Sequence, residues 1–314
     1  MKVLVPKAYK GRLPKIDDAE MVIIDGSQPV ADEHLDAEVL VAWGQSNEVL
    51  KDSAQRLTKL RLVQAFLAGP DPVVAAGFAP EVPIASGVGL HDGPVAEHAL
   101  GMILALLRNF PLAVQNAVRH VWAVGHDGAM KLRANDGRIT TLDGAKVTIW
   151  GYGSIGSTLA PLVRALGADV TGVARTAGER DGVRVVDDSG LADVLAETDV
   201  LVMILPNHPS TANAMDAERF AQLKEGAVLV NVGRGSTVDE DALVEALESG
   251  RLAGAALDVT ATEPLPAESP LWDQPTLLIT PHVAGGRPQH ADELLAHNIE
   301  AVRTGGEVRN LVRR

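Results

Sequence analysis

The sequence predicts an α/β protein, with parallel sheets and helices wound over them. Two observations carry the prediction. Short β-branched runs recur along the whole chain, separated by segments of helical periodicity, and that alternation is how strand–helix–strand units read in sequence. A glycine-rich turn at 151–156 stands between one such run and a helical pattern, where a doubly wound sheet passes from strand to helix.

The first part offers KVLV (2–5), MVII (21–24), EVLVAW (38–43), RLVQAF (61–66) and VPIA (82–85) as strands, with Leu50, Leu57 and Leu60 on an intervening amphipathic segment. Together they predict one small doubly wound unit. Gly93 and Pro94 then punctuate the chain. Pro94 suits the first position of a helix, where its missing N–H would be unpaired anyway, so a hinge is placed after His91. The apolar stretch that follows, HALGMILALLRNF (98–110), is shorter than the roughly 20 residues that span a bilayer. It reads as a buried or subunit-contacting helix.

From Val147 a more regular series begins: VTIW, ADVTGVA, VLVMIL, AVLVNVG, AGAALDV and TLLIT. Six strands suffice for a dinucleotide-type sheet. Helices are expected near 155–166, 190–197, 216–225 and 239–249, with Gly167, Gly226 and Gly250 as C-terminal stops. After Pro281 the remaining helical segment is too short to be a domain and is expected to return to the first unit. The predicted division is therefore 1–91 and 283–314 as one discontinuous domain, with 92–282 inserted.

With 314 residues, 46% hydrophobic and 22% charged, the chain is long enough for two such cores. A formal net charge of −13 argues against nucleic acid or an anionic membrane as partner, since both need a basic face. No cysteine is present, which excludes disulfides, thiolate nucleophiles and cysteine-ligated metals, and no metal site is predicted. The first residues, MKVLVPKAYK, hold too short an apolar run for a secretion signal, so a cytoplasmic location is expected.

Gly151, Gly153 and Gly156 follow strand VTIW directly and precede Leu159, Leu162, Val163 and Leu166 at helical spacing. The first glycine permits a tight turn, the second lets backbone approach a pyrophosphate, and the third allows close helix packing, with the helix N–H groups facing the anion. Nucleotide binding is the reading; Gly87-Val88-Gly89 lacks the spacing and reads as a connector. About twenty residues on, where an Asp or Glu usually meets the adenosine ribose, the chain has Ala174-Arg175-Thr176. A carboxylate would repel a 2′-phosphate, whereas a guanidinium and a hydroxyl would bind it. NADPH is expected over NADH, with NAD still possible.

Three strand ends carry candidate chemistry. Arg234 lies between two glycines in NVGRGSTVDEDAL, Asp258 and Glu263 in LDVTATEPLP, and His282 in TPHVAGG. An arginine can grip a carboxylate with two parallel hydrogen bonds, and a histidine can move a proton near neutral pH. Taken singly, each also reads as structural: an arginine tying a helix terminus, a histidine capping a loop. All three fall on the sheet edge that holds the glycine turn.

These motifs, with SPLW (269–272), resemble the D-isomer-specific 2-hydroxyacid dehydrogenases over nearly the whole chain. The resemblance implies hydride transfer between a nicotinamide cofactor and a 2-keto acid, of the glyoxylate and hydroxypyruvate reductase kind. It implies a Rossmann cofactor domain inserted into a discontinuous flavodoxin-like catalytic domain, and a homodimer formed through the cofactor domain. Arg234, Glu263 and His282 would be catalytic: Arg234 on the substrate carboxylate and keto oxygen, His282 as proton donor, Glu263 orienting the imidazole and favouring its cationic form. Cofactor contacts are implied at Gly151, Gly153, Ser154, Ile155, Gly156, Arg175, Thr176, Pro206, Val232 and Asp258, the last at the nicotinamide end.

The loop AFLAGPD (65–71) is similar to the family's carboxylate-binding turn and implies substrate contacts at Leu67, Ala68 and Gly69. It departs from the pattern at Leu67, which replaces a glycine and would narrow the pocket toward small substrates. Trp43 falls near the place where phosphoglycerate dehydrogenases carry an arginine, as pocket lining or as packing under a loop. Two other readings stay open: a nucleotide-sensing corepressor-like protein, and a formate- or phosphite-type dehydrogenase of the same fold.

Overall fold

The computed structural model describes residues 1–122 and 139–313. The chain divides into two units, Met1–His91 with Arg287–Arg314, and Asp92–Gly286.

The first unit starts with strands β1 (Lys2–Pro6), β2 (Glu20–Ile24) and β3 (Val39–Ala42), then helix α1 (Asn47–Arg56), β4 (Leu62–Ala65), α2 (Asp71–Ala75) and β5 (Ile84–Ala85). Ser46 starts α1 by accepting the Val49 N–H, a side-chain cap that satisfies one orphan donor. Leu50 lies on α1 but Leu57 caps it and Leu60 lies in the turn beyond; all three are nevertheless buried. All pairings are parallel and the order is β2-β1-β3-β4-β5, the flavodoxin-like arrangement. Buried on both faces, β3 reads as a continuous apolar run, and β4 does so apart from the buried Gln64.

The second unit opens with α3 (Asp92–Leu107) and α4 (Phe110–Val118). After β6 (Lys146–Trp150) come α5 (Ser154–Ala165), β7 (Asp169–Val173), the hairpin β8 (Gly178–Arg180) and β9 (Val183–Val186), α6 (Leu191–Glu197) and β10 (Val200–Met203). The series closes with α7 (Ala217–Gln222), β11 (Ala227–Asn231), α8 (Glu240–Glu248), β12 (Leu252–Leu257) and β13 (Leu277–Ile279). The order is β13-β12-β11-β10-β6-β7-β9-β8, parallel except for β8. The direction of winding reverses between β6 and β10, the place where such sheets bind ligands.

Three differences from the sequence reading have physical causes. The strand beyond β7 is VRVV, β9, which the sequence reading lacked; it is four residues long and interrupted by exposed Arg184. Helix α3 starts at Asp92, placing Pro94 inside the first turn, where a proline still costs no hydrogen bond. The chain leaves the second unit after Gly286 rather than after His282, because the N–H groups of Val283 and Ala284 are held by the Asp258 carboxylate at 2.9 and 3.0 Å. Gly167 and Gly250 have positive φ directly after the C-caps of α5 and α8, whereas α7 already ends at Gln222 and Gly226, also at positive φ, lies in the turn leading into β11. On one sheet face α3 packs with α5 through Ala99, Ile103, Leu159 and Val163, so the apolar helix is largely buried. No helix of the described residues is long and apolar enough to cross a membrane.

The last helix, α9 (Ala291–Thr304), belongs to the first unit. Leu294, Leu295 and Ile299 cover Val3, Val39 and Leu62, each contributing roughly 1.5–3 kcal/mol as an upper bound. Buried Asn298 donates to Gln64 Oε1 at 2.7 Å and accepts from the Arg309 N–H at 2.8 Å. The Val312 N–H then meets the Ile84 carbonyl at 2.8 Å, which ties the terminal segment to β5.

Candidate active site

The glycine turn assigns a separate task to each glycine. Gly151 has φ 99°, and a Cβ there would meet the Ile204 carbonyl oxygen at 2.5 Å, so the turn excludes any side chain. At Gly156 a Cβ would meet Ile149 Cγ2 at 3.1 Å, which is the close packing of α5 on β6. At Gly153 it would meet nothing within 4 Å, leaving open space where α5 begins. Ser154, Ile155 and Gly156 form the first turn of α5, whose N–H groups lack intrahelical acceptors. The N–H groups of Gly151 and Tyr152 both donate to the Val173 carbonyl, at 3.0 and 2.9 Å. The residues fit a dinucleotide pyrophosphate.

Beyond β7, Arg175 and Thr176 are exposed. Among the described residues Arg175 has no hydrogen-bond or ion-pair partner. Pro206 and Val232 lie just past the C-terminal ends of β10 and β11; Pro206 is exposed and Val232 buried.

Arg234 follows β11 in a bend closed on itself. Its carbonyl accepts from Asn231 Nδ2 at 3.1 Å and from Thr237 Oγ1 at 2.6 Å, and its Nη1 donates to the Gly233 carbonyl at 2.7 Å. Gly235 is pressed against the Thr260 backbone so closely that a Cβ would overlap the Thr260 carbonyl. The Arg234 loop and the loop leading to Glu263 are therefore in direct backbone contact.

Glu263 uses both oxygens. Oε1 accepts the Thr260 N–H at 3.1 Å, and Oε2 pairs with His282 Nδ1 at 2.7 Å. His282 has φ 53°, a left-handed conformation that a non-glycine residue keeps only when its surroundings impose it. The imposing group is Asp258. The Asp258 carbonyl accepts the His282 N–H at 2.8 Å. Its carboxylate, with a side chain 1% exposed, accepts the Val283 and Ala284 N–H groups and the Thr280 hydroxyl, the last at 2.6 Å. His98, on α3, donates from Nε2 to Thr280 Oγ1 at 3.0 Å and lies 3.5 Å from Asp258 Oδ1. Asp258, expected at the cofactor, thus has its carboxylate turned onto the His282 loop. The sequence reading missed Thr280 and His98, whose only signal was a polar side chain beside Pro281 and another on an apolar helix.

The substrate-loop residues belong to the first unit. Leu67, Ala68 and Gly69 are half-buried. The Leu67 carbonyl accepts the Gly87 N–H at 2.7 Å, while no acceptor among the described residues takes the N–H of Ala68 or Gly69. Trp43 stacks on buried His91 with ring centroids 5.9 Å apart, and His91 Nε2 donates to the Phe66 carbonyl at 2.6 Å. Packing beneath the loop is thus visible for Trp43.

A doubly wound sheet with a strand–glycine–helix turn at its switch point defines a class, the dinucleotide-binding oxidoreductases. The family model for "D-isomer specific 2-hydroxyacid dehydrogenase, NAD binding domain" matches residues 100–284, and the chain belongs to that family. The D-3-phosphoglycerate dehydrogenase of Haemophilus influenzae is 36% identical over 75% of the chain; the chain spans only 56% of that relative's length. Among solved structures, a D-isomer specific 2-hydroxyacid dehydrogenase family protein from Aeromonas salmonicida superposes with TM-score 0.83 at 29% identity, covering 99% of this chain and 98% of the other. An NADPH-dependent glyoxylate/hydroxypyruvate reductase from Sinorhizobium meliloti, solved with NADP and sulfate, superposes with TM-score 0.78 at 26% identity, covering 99% and 97%.

Proposed function

We propose that the chain reduces a small 2-keto acid to the D-2-hydroxy acid with NADPH, and accepts NADH less well. The observation that supports this most is the Glu263–His282 pair at 2.7 Å, on the sheet edge that also carries the glycine turn. In this reading Arg234 grips the substrate carboxylate and polarises the keto oxygen, where negative charge grows. His282, oriented through Nδ1 by Glu263, delivers a proton from Nε2 to that oxygen. When bound, the nicotinamide cofactor supplies the hydride.

The open space at Gly153 and the first-turn N–H groups of Ser154, Ile155 and Gly156 suit the cofactor's pyrophosphate, with Pro206 and Val232 along its path. Arg175 and Thr176 suit a 2′-phosphate. Asp258 would act on the nicotinamide end through the loop it holds. The unit Asp92–Gly286 would be the cofactor domain, and Met1–His91 with Arg287–Arg314 the substrate domain. The unengaged N–H groups of Ala68 and Gly69 suit the substrate carboxylate, with Leu67 favouring a short side chain. The glyoxylate/hydroxypyruvate reductase name of the Sinorhizobium relative supports the same substrate class.

A homodimer through the cofactor domain is part of the proposal. On α4, Phe110, Val114 and Val118 are 56%, 62% and 75% exposed at i, i+4 and i+8, an apolar stripe of the kind that marks an interface. A cytoplasmic location suits a chain without cysteine.

Initial rates with glyoxylate and hydroxypyruvate, each with NADPH and NADH, test the reading. NADPH-dependent turnover that disappears in His282→Ala is expected. Tight cofactor binding without turnover of any 2-keto acid would favour the sensor reading instead.

A further inference from the structure

We infer that Arg180 is a positioning residue for cofactor selection, clamping the loop of Arg175 and Thr176 to the glycine turn so that Arg175 is presented to an adenosine 2′-phosphate. The inference rests on the NADPH reading of that loop. Arg180 ends β8, and the two-residue turn that follows, Asp181 at φ 52° and Gly182 at φ 71°, has the positive angles that fit a tight hairpin. The hairpin pairs Arg180 with Val183, and β9 in turn pairs with β7. This arrangement carries the guanidinium back over the end of β7. Nη1 donates to the Tyr152 carbonyl at 2.8 Å, inside the glycine turn, and Nη2 donates to the Thr176 carbonyl at 2.9 Å.

Both acceptors are backbone, on the two segments that would meet the adenosine end of the cofactor. A planar guanidinium reaches two such acceptors in fixed geometry, which an ammonium on a flexible stem cannot reproduce. On its strand side the glycine turn is already tied to β7 through the Val173 carbonyl. The Tyr152 ring lies against Gly172, where a Cβ would meet Tyr152 Cγ at 2.6 Å. Arg180 adds the tie on the loop side. The two arginines therefore divide the work: Arg180 is committed to the backbone, whereas Arg175, five positions earlier, is exposed and has no partner among the described residues.

The test is calorimetric binding of 2′,5′-ADP and of ADP to wild type, Arg180→Ala, Arg180→Lys and Arg175→Ala. Wild type is expected to favour 2′,5′-ADP, and Arg180→Ala to lose about tenfold of that preference, as expected for one misplaced charge-assisted hydrogen bond. Arg180→Lys, which keeps the charge but not the fork, should lose nearly as much. A preference unchanged in Arg180→Ala, an equal loss for both ligands, or full rescue by lysine would overturn the inference while leaving the NADPH reading intact. A wild type without any preference for 2′,5′-ADP would overturn both.

Discussion

His282 and Asp258 are bound twice over: the Asp258 carbonyl holds the His282 N–H at 2.8 Å, and the Asp258 carboxylate holds the next two N–H groups at 2.9 and 3.0 Å. A buried carboxylate so engaged acts as the mould for the histidine loop. Replacing it by alanine leaves the buried Ala284 N–H without an acceptor, at roughly 1–3 kcal/mol, and takes the acceptor from the part-buried Val283 N–H and Thr280 hydroxyl as well. Asp258→Ala is therefore expected to lose about 3 kcal/mol or more in urea unfolding. Asp258→Asn must turn an NH2 toward a donor and should lose less, with turnover falling in both.

The Glu263–His282 hydrogen bond leads to a kinetic expectation. General acid catalysis contributes on the order of 10²–10⁴-fold, so His282→Ala should lower kcat with glyoxylate by that range. Glu263→Gln keeps the shape but not the charge, and should lower kcat more than KM. Equal kcat for Glu263→Gln and wild type would remove Glu263 from the mechanism.

The glycines of the turn should separate stability from binding. Gly151→Ala meets both a positive φ and the Ile204 carbonyl, at roughly 1–2 kcal/mol for the dihedral alone, and is expected to lower Tm. Gly153→Ala adds its methyl to open space, so Tm should hold while NADPH affinity falls. Paired melting and titration of the two variants check this.

Gly235 joins the Arg234 loop to the Thr260 backbone. A methyl there overlaps a carbonyl that cannot move without shifting Glu263. Overpacking of this kind costs about 1–3 kcal/mol, and Gly235→Ala should lose activity even where it still folds and binds cofactor.

The surface carboxylates predict the acid limb of stability. The Lys7 hydrogen bond, with help from Ser27, lowers the Asp25 pKa to about 2, and Glu197 is lowered by Lys146. A carboxylate depressed in the folded state stabilises above its unfolded pKa of about 3.9–4.3. That contribution is lost as pH falls toward the folded value. An NMR titration should find the Asp25 carboxyl near 2 in wild type and higher in Lys7→Ala, still held below the ordinary range by the two Ser27 hydrogen bonds.

Much of the fold is legible locally. The glycine turn, the buried parallel strands and the αL stops at Gly167 and Gly250 follow from side-chain periodicity and from backbone angles that only glycine adopts cheaply. Motif spacing also located Arg234, Glu263 and His282, because each stands just past a recognisable strand. Tertiary structure decided the rest. Strand β9 is too short and too polar at Arg184 to stand out, and it needs β7 beside it to be a strand at all. His98, Thr280 and Arg180 carry no local signature, since each has its partner only once distant segments meet: α3 over the end of β13, and the β8–β9 hairpin over the glycine turn. The buried carboxylate of Asp258 is the same case. The resemblance implied a cofactor contact there, but the fold brings the backbone of residues 283–284 against it, and the buried Ala284 N–H, like the part-buried Val283 N–H, takes the carboxylate as its acceptor.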